Sequence, residues 1–275
     1  MNSKNVLVVK YGGNAMSNED LKKEVLQNLC MLNDKGYHIV IVHGGGPFIK
    51  QALEEAKIES EFIDGHRKTT PEALKHVEMA LKGQVNSSLV GIINQLGYKA
   101  VGLSGKDGGL VTAAKRLHEK VVEGITEIYD LGQVGDVAHV DTRLLHLLLE
   151  NGYLPVITCL AADSAGNTYN INADMFAGHL AGALHAGQYL VLTDVDGLMN
   201  DMNDSSTLIP KLHPADIERL IANKTIRGGM LPKVESCMIA LENGAHAARI
   251  INGTKPRQII QAVENIQTGT LITKQ

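Results

Sequence analysis

Val6-Leu7-Val8-Val9-Lys10-Tyr11-Gly12-Gly13-Asn14 is the stretch that decides the fold. Its apolar residues run without alternation, as in a strand covered on both faces of a parallel sheet. The run ends in a lysine and two glycines. A lysine at the carboxyl end of such a strand faces the crevice where open α/β sheets bind ligands. From position alone it reads equally well as a surface lysine. The same grammar recurs in Ile39-Val40-Ile41-Val42, which leads into His43-Gly44-Gly45-Gly46-Pro47. Between the two strands, Glu19 to Asp34 sets Leu21, Val25, Leu29 and Leu32 on one helical stripe, with Gly36 just beyond. Pro47 sits near the first turn of a helix reaching about Ala56, where its missing N–H costs little. Consecutive glycines strip side chains from the strand-to-helix turn, so backbone N–H groups can touch an anion.

Outward from this unit the alternation continues. Pro71 to Leu96 reads as a helix weakened by Gly83 and Gly91, and Val101-Gly102-Leu103 as a short strand. Val121 to Val140 looks like a hairpin excursion. Asp141 to Glu150 reads as a helix, Leu154 to Thr158 as a strand, Asn172 to Leu184 as an Ala-rich helix and Tyr189 to Leu192 as another buried strand. Helices at about Pro214–Ala222, Lys233–Glu242 and Pro256–Val263 are joined by late strands at Arg249–Ile251 and Leu271–Ile272. This order predicts an α/β, three-layer αβα sandwich with a central, mainly parallel sheet. A soft boundary at Ala186–Gly187 divides an N-terminal lobe, 1–186, from a C-terminal lobe, 187–275, on one continuous sheet.

Composition narrows the function. The 26 basic and 30 acidic residues give a net charge of −4, which points to neither nucleic acid nor an anionic membrane. Aromatics are 4% of the chain and Trp is absent, so stacking is not the main binding device. Cys30, Cys159 and Cys237 have no CxxC spacing and read as buried thiols in a reducing compartment. The start MNSKNVLVV is unlike a signal peptide, and no apolar run approaches the ~20 residues of a membrane span. A cytoplasmic protein is expected.

Several further segments carry chemistry. Gly228-Gly229-Met230-Leu231-Pro232-Lys233 places a second lysine at a helix start. Lysines act as mobile point charges on phosphoryl oxygens. Gly65-His66-Arg67-Lys68-Thr69-Thr70-Pro71 is a basic turn whose Arg67 can clamp a carboxylate, or is a solvated loop. Asn170-Ile171-Asn172-Ala173-Asp174 opens a helix, with Asn172 a natural N-cap. Asp174 is placed to orient lysine ammonium groups. Thr193-Asp194-Val195-Asp196-Gly197 follows a buried strand and suits a nucleotide edge, or Mg²⁺. An esterase oxyanion hole also uses HGGG, but Gly102-Leu103-Ser104-Gly105-Lys106 lacks the last glycine of G-x-S-x-G. There is no G-x-x-x-x-G-K-[ST] loop, and the histidines form no HxxxH or HxH ligand pair.

The order KYGG, HGGGP, GHRKTTPE, YNINAD, LTDVDGLM and GGMLPK resembles the amino-acid kinase family over nearly the whole chain. Within it the likeness is strongest to members that phosphorylate the γ-carboxylate of N-acetyl-L-glutamate with MgATP, the second step of arginine biosynthesis. The resemblance implies that Lys10 and Lys233 stabilise the transferring phosphoryl group and that Asp174 organises them. Gly12, Gly13 and Gly44 are implied in phosphate binding. Gly45, Gly46, Arg67 and Asn170 are implied in substrate binding. Asp194, Val195, Asp196, Gly197, Leu198 and Met199, with Thr225, Ile226 and Arg227, are implied to line the nucleotide. It assigns the amino-acid substrate and dimerisation to lobe 1–186 and ATP to lobe 187–275. It implies no protein-held metal, Mg²⁺ being carried by ATP.

Relatives that carry an extra N-terminal helix form arginine-inhibited hexamers. The early first strand here, and Arg249 where sensitive relatives carry a His, imply a homodimer that arginine does not inhibit. The stripe Leu74, Val77, Leu81, Val85 and Leu89 reads either as the dimer face or as an internal core face. The alternatives are another acyl-phosphate kinase of this fold, such as a carrier-linked aminoadipate kinase, and a non-catalytic amino-acid-binding module.

Overall fold

The computed structural model describes residues 2–63, 66–122, 125–201, 204–264 and 266–274. In chain order the elements are β1 (Val6–Tyr11), α1 (Glu19–Asp34), β2 (His38–His43), α2 (Gly46–Glu55), β3 (Phe62–Ile63), β4 (His66–Arg67) and α3 (Pro71–Glu78). A π-helical segment, Met79–Asn86, joins α3 to α4 (Ser87–Gln95). Then come β5 (Lys99–Ser104), β6 (Val111–Val122), β7 (Ile125–Val140), α5 (Arg143–Glu150), β8 (Tyr153–Thr158), β9 (Leu160–Ala162), β10 (Thr168–Ile171) and α6 (Ala173–Ala183). The chain finishes with β11 (Gln188–Thr193), β12 (Lys211–Leu212), α7 (Pro214–Ala222), α8 (Leu231–Glu242), β13 (Ala248–Asn252), α9 (Arg257–Val263) and β14 (Thr270–Ile272).

Eight strands form one sheet in the order β12-β14-β13-β11-β1-β2-β8-β5. Every adjacent pair is parallel except β13 with β14. Central β1 pairs with β2 on one side and with β11 on the other. A core lies on each face. Leu7, Val9, Ile39 and Ile41 pack with Leu26 and Leu29 of α1, Leu89 of α4 and Ile259 of α9. Val6, Val8, Val40 and Val42 pack with Phe176 and Leu180 of α6 and Val234 of α8. The αβα sandwich read from the unbroken apolar strands is therefore present.

Local chemistry sets the element ends. The Asn18 side chain accepts from the Leu21 N–H at the start of α1, and Gly36 takes a φ of 88° beyond its end, where a β-carbon would be strained. Thr70 caps α3 by accepting from the Ala73 N–H at 3.1 Å, and Pro71 follows it.

Two features differ from the sequence reading. The excursion expected over Val121–Val140 begins at Val111, and β6, β7, β9 and β10 close into a small four-stranded barrel. The stripe of the long helix is an internal face. Val77 and Leu81 sit in one core and Val85 and Leu89 in the other, all buried, and the half-buried Leu74 packs on the first, so these side chains face inward. The π segment makes this possible: its extra residue per turn rotates the apolar face as the helix passes the end of the sheet.

Candidate active site

Strand alternation builds the site from Lys10. Val6 and Val8 face α6 and α8, and Lys10 follows them to that side at the end of β1. The Asn172 side chain caps α6, accepting from the N–H of Asp174 at 2.8 Å and of Met175 at 3.3 Å. Asp174 therefore stands in the first turn, where the helix dipole favours a carboxylate. Lys233 stands in the first turn of α8, after the 3₁₀ turn Gly228–Met230.

The three side chains meet. Lys10 Nζ lies 3.1 Å from Asp174 Oδ1, and Lys233 Nζ donates to Asp174 Oδ2 at 3.2 Å. The Lys10 contact is an ion pair by distance, without an aligned hydrogen bond. Lys10 and Asp174 are both buried. Burial alone would raise the Asp174 pKa, but the two lysine charges outweigh it and hold the carboxyl below its ordinary value. Burial, and then the Lys10 charge, pull Lys233 down. Two ammonium groups meet on one buried carboxylate, with the exposed Asp194 carboxylate also acting on Lys233.

The glycine turns flank this centre. A β-carbon on Gly12 would lie 3.2 Å from Lys10 Nζ, and one on Gly13, at φ 74°, would lie 3.0 Å from Asp194 Oδ1. The first turn thus packs on the ammonium group and on the strand-end acid of β11. In the second turn the Gly44 N–H donates to Tyr11 O at 3.2 Å and extends the β1–β2 ladder. Gly45 is the N-cap of α2 and Gly46 its first residue, with no side-chain cap. Among the described residues their N–H groups have no partner, as at any helix start.

The remaining expected residues divide. Asn170 lies on β10, paired with Val134 of β7 and Leu160 of β9, two residues before the α6 cap. Arg67 is on β4 and stays apart from the lysines. Its guanidinium lies over the Phe62 ring, 4.5 Å from the centroid, and donates to Ser60 Oγ at 2.6 Å. It helps to line a cavity of about 510 Å³ with Lys50, Glu54 and Ile58, which neither lysine of the trio borders. Gly65 lies outside the described residues.

Of the nucleotide segment, Asp194 is exposed at the end of β11. Asp196 is instead an anchor. It accepts from Asn252 Nδ2 at 3.0 Å and Gln258 Nε2 at 3.1 Å and pairs with Lys255 Nζ at 2.7 Å. The Leu198 and Ile226 side chains are buried in the core beside α6 and α8, which leaves their backbone to the nucleotide edge. Gly197, at φ 136°, packs on Thr270. Met199 bridges to Leu208, and the half-buried Thr225 and exposed Arg227 flank Ile226. Arg249, expected to repel a cationic effector, is buried and donates to the carbonyls of Ile266 and Thr268 at 3.3 and 3.0 Å. It ties down the segment before β14.

One functional connection was not legible in the sequence. Tyr189 OH donates to the Asp174 carbonyl and contacts Ser236 Oγ, each at 3.2 Å, while Ser236 Oγ donates to the Lys233 carbonyl at 2.8 Å. A buried relay therefore joins the backbones that carry Asp174 and Lys233.

A fold with one lysine and two glycine turns at the ends of parallel strands, a second lysine at a helix start, and no glycine-rich lysine loop, defines a phosphotransferase class. The model of the amino acid kinase family matches residues 5–252. The chain belongs to that family. It is 43% identical over 269 residues to a protein of Methanococcus aeolicus named acetylglutamate kinase, covering 98% of this chain and 92% of that one. It is 46% identical over 271 residues to the protein of that name from Rhodopseudomonas palustris, covering 98% and 90%. A solved structure from Streptococcus mutans UA159 superposes with a TM-score of 0.78 at 29% identity, over 99% of this chain and all of that one.

Proposed function

We propose that this chain transfers the γ-phosphoryl group of ATP to the γ-carboxylate of N-acetyl-L-glutamate, giving N-acetyl-L-glutamyl 5-phosphate and ADP, the second step of arginine biosynthesis. The observation that carries this reading is the Lys10–Asp174–Lys233 cluster, with its paired cations on one buried carboxylate. The relatives named acetylglutamate kinase supply the acceptor.

A glutamyl γ-carboxylate is ionised near neutral pH, so it needs no general base. One carboxylate oxygen attacks the γ-phosphorus, the bond to the β-phosphate oxygen breaks, and the electron pair leaves on ADP. No proton moves. The barrier is repulsion between two anions, and catalysis consists of charge cancellation and in-line positioning. Lys10 and Lys233 supply the charge. Asp174 holds both ammonium groups against their mutual repulsion. The Gly45 and Gly46 N–H groups donate to the reacting carboxylate or the transferring group, with Gly12 and Gly13 forming the phosphate side. Asn170, beside the α6 cap, and Arg67 take the polar groups of the acceptor. Arg67 must leave Ser60 to do so.

Asp194 to Met199, with Thr225 to Arg227, would border the nucleotide through backbone and through the exposed side chains of Asp194 and Arg227. ATP belongs to the lobe 187–275 and the amino acid to 1–186. The donors at the centre are ammonium and N–H groups, which suit phosphate oxygens and not a cation. Among the described residues no three His, Cys, Asp or Glu side chains gather to hold a metal. Mg²⁺ would be held by the ATP phosphates and water, where it neutralises phosphate charge. A homodimer that arginine does not inhibit belongs to the same reading, with its contact elsewhere than on the long-helix stripe. No helix of the described residues is long and apolar enough to cross a membrane.

The test is ADP release from MgATP with and without N-acetyl-L-glutamate. Acceptor-dependent release supports the reading. Release that ignores the acceptor, or none at all, removes it.

A further inference from the structure

We infer that His43, locked by Asn86, is a positioning residue that sets the Gly44–Gly45 peptide plane and so aims the Gly45 N–H at the lysine pair. This rests on the proposed phosphoryl transfer, and it concerns residues that the site as described does not use.

The hydrogen-bond chain fixes one tautomer. Asn86 Nδ2 lies 2.9 Å from Val156 O and 2.9 Å from His43 Nε2. A carbonyl oxygen only accepts, so the amide NH₂ faces it, and the same NH₂ gives its second proton to Nε2. The imidazole proton is then on Nδ1, which donates to Gly44 O at 2.9 Å. His43 and Asn86 are both buried, at 0% and 2% exposure, so no water competes for these bonds. Burial also pushes the imidazole down to about 4, which keeps Nε2 an acceptor at neutral pH.

The direction follows from β alternation. His43 pairs with Tyr11 in the β1–β2 register, one step past Lys10 and Val42. Tyr11 lies in the core on the α1 side of the sheet, while Lys10 points to the α6 side. The imidazole, packed with Asn86 beside α4, thus holds the Gly44 carbonyl on the face opposite Lys10. In a trans peptide the C=O and N–H are antiparallel, and the described residues contain no cis peptide. The Gly45 N–H therefore points to the Lys10–Asp174 side. The Gly44 N–H, spent on Tyr11 O, fixes the preceding peptide, and a β-carbon on Gly44 would sit 3.4 Å from Ala173 Cβ, next to Asp174. The π segment has a role here: it delivers Asn86 to the end of the sheet, where the Gly102 position leaves it room. A β-carbon there would lie 2.2 Å from Asn86 Oδ1.

Two measurements decide it. The first is the ¹⁵N shift pattern of the His43 ring in the substrate-free full chain at neutral pH. A protonated Nδ1 with a pyridine-like Nε2 is expected, and the opposite or a mixed tautomer overturns the inference even if no variant folds. The second compares His43→Asn, whose amide can reproduce the Nδ1 donor, with His43→Leu, which cannot. With MgATP and N-acetyl-L-glutamate, His43→Leu should lose about 10-fold or more in kcat with KM changed less than about 3-fold, and His43→Asn should recover most of it. Equal kcat in two folded variants overturns the inference. If the wild type forms no acyl phosphate, the functional reading fails instead, while the ring tautomer still reports on the lock.

Discussion

Gly178 of α6 lies against the Ser236 carbonyl of α8 so closely that a β-carbon on Gly178 would sit 2.5 Å from that oxygen. One turn on, a β-carbon on Gly182 would sit 3.1 Å from the Ala240 carbonyl. The two helices therefore touch backbone to backbone, and this contact fixes the distance between Asp174 and Lys233 at their first turns. Gly178→Ala must push α6 and α8 apart. We expect a loss of stability of about 1–3 kcal/mol, the scale of overpacking, together with a kcat loss larger than that of Gly91→Ala on α4, where a β-carbon meets nothing. Equal kcat in both variants would uncouple helix spacing from the reaction.

The Tyr189–Ser236 relay supports the same alignment from inside. Tyr189→Phe keeps the ring and removes the hydroxyl, taking the side-chain donor from the Asp174 carbonyl and the hydroxyl neighbour from Ser236. A stability loss of about 1 kcal/mol is expected, with kcat falling several-fold and both KM values nearly constant. A denaturation midpoint and kcat equal to those of the wild type would show the relay to be idle.

For the lysines, Lys10→Ala and Lys233→Ala should each lower kcat by roughly 10²–10³, the scale for one preorganised charge stabiliser. Asp174→Asn keeps the shape and removes the charge that offsets two ammonium groups. Its kcat should fall as well, and the pKa of Lys233 should fall further, since the carboxylate now raises it. Steady-state kinetics at saturating ATP check the first point. An unchanged kcat in Lys233→Ala would remove that lysine from the reaction.

Acid stability carries a signature of His43. Burial takes its pKa from 6.5 to about 4. Between those values the unfolded chain binds a proton that the folded chain refuses, so stability is full above about 6.5 and declines as pH falls toward 4. The linkage amounts to roughly 3 kcal/mol. The lowered Asp174 pKa acts in the same direction at lower pH. Denaturant midpoints followed from pH 7 to 4 should show a shallower slope in His43→Asn. An identical slope would mean that His43 titrates alike in the folded and unfolded chain.

Arg67 separates binding from chemistry. Arg67→Lys keeps charge and loses the planar fork, so KM for N-acetyl-L-glutamate should rise well beyond any change for ATP. An unchanged acceptor KM would leave Arg67 as the partner of Phe62 and Ser60 only.

The sheet was legible because its strands announce themselves. β1, β2, β8 and β11 carry unbroken apolar runs, and α1 falls on Glu19–Asp34 as its stripe and Gly36 imply. The trio was legible in kind, since a lysine after an apolar run and an acid after an Asn cap mark strand and helix ends. The small barrel was not, because β6 and β7 mix Gly, Lys and Asp over long strands with register shifts. The inward faces of Leu198 and Ile226 were hidden too, since a motif names neighbours in the chain without saying which way each points. The partners of Asp196 were hidden as well, since Asn252, Lys255 and Gln258 arrive from about 60 residues away.

The central claim is acyl-phosphate formation on N-acetyl-L-glutamate at the Lys10–Asp174–Lys233 centre. Hydroxylamine trapping across N-acetyl-L-glutamate, glutamate, aspartate and aminoadipate measures it most directly. The account expects hydroxamate from N-acetyl-L-glutamate far above the other three, reduced roughly 10²–10³-fold in Lys233→Ala. Hydroxamate formed chiefly from aminoadipate or aspartate, or formed from N-acetyl-L-glutamate at wild-type rate without Lys233, would contradict it.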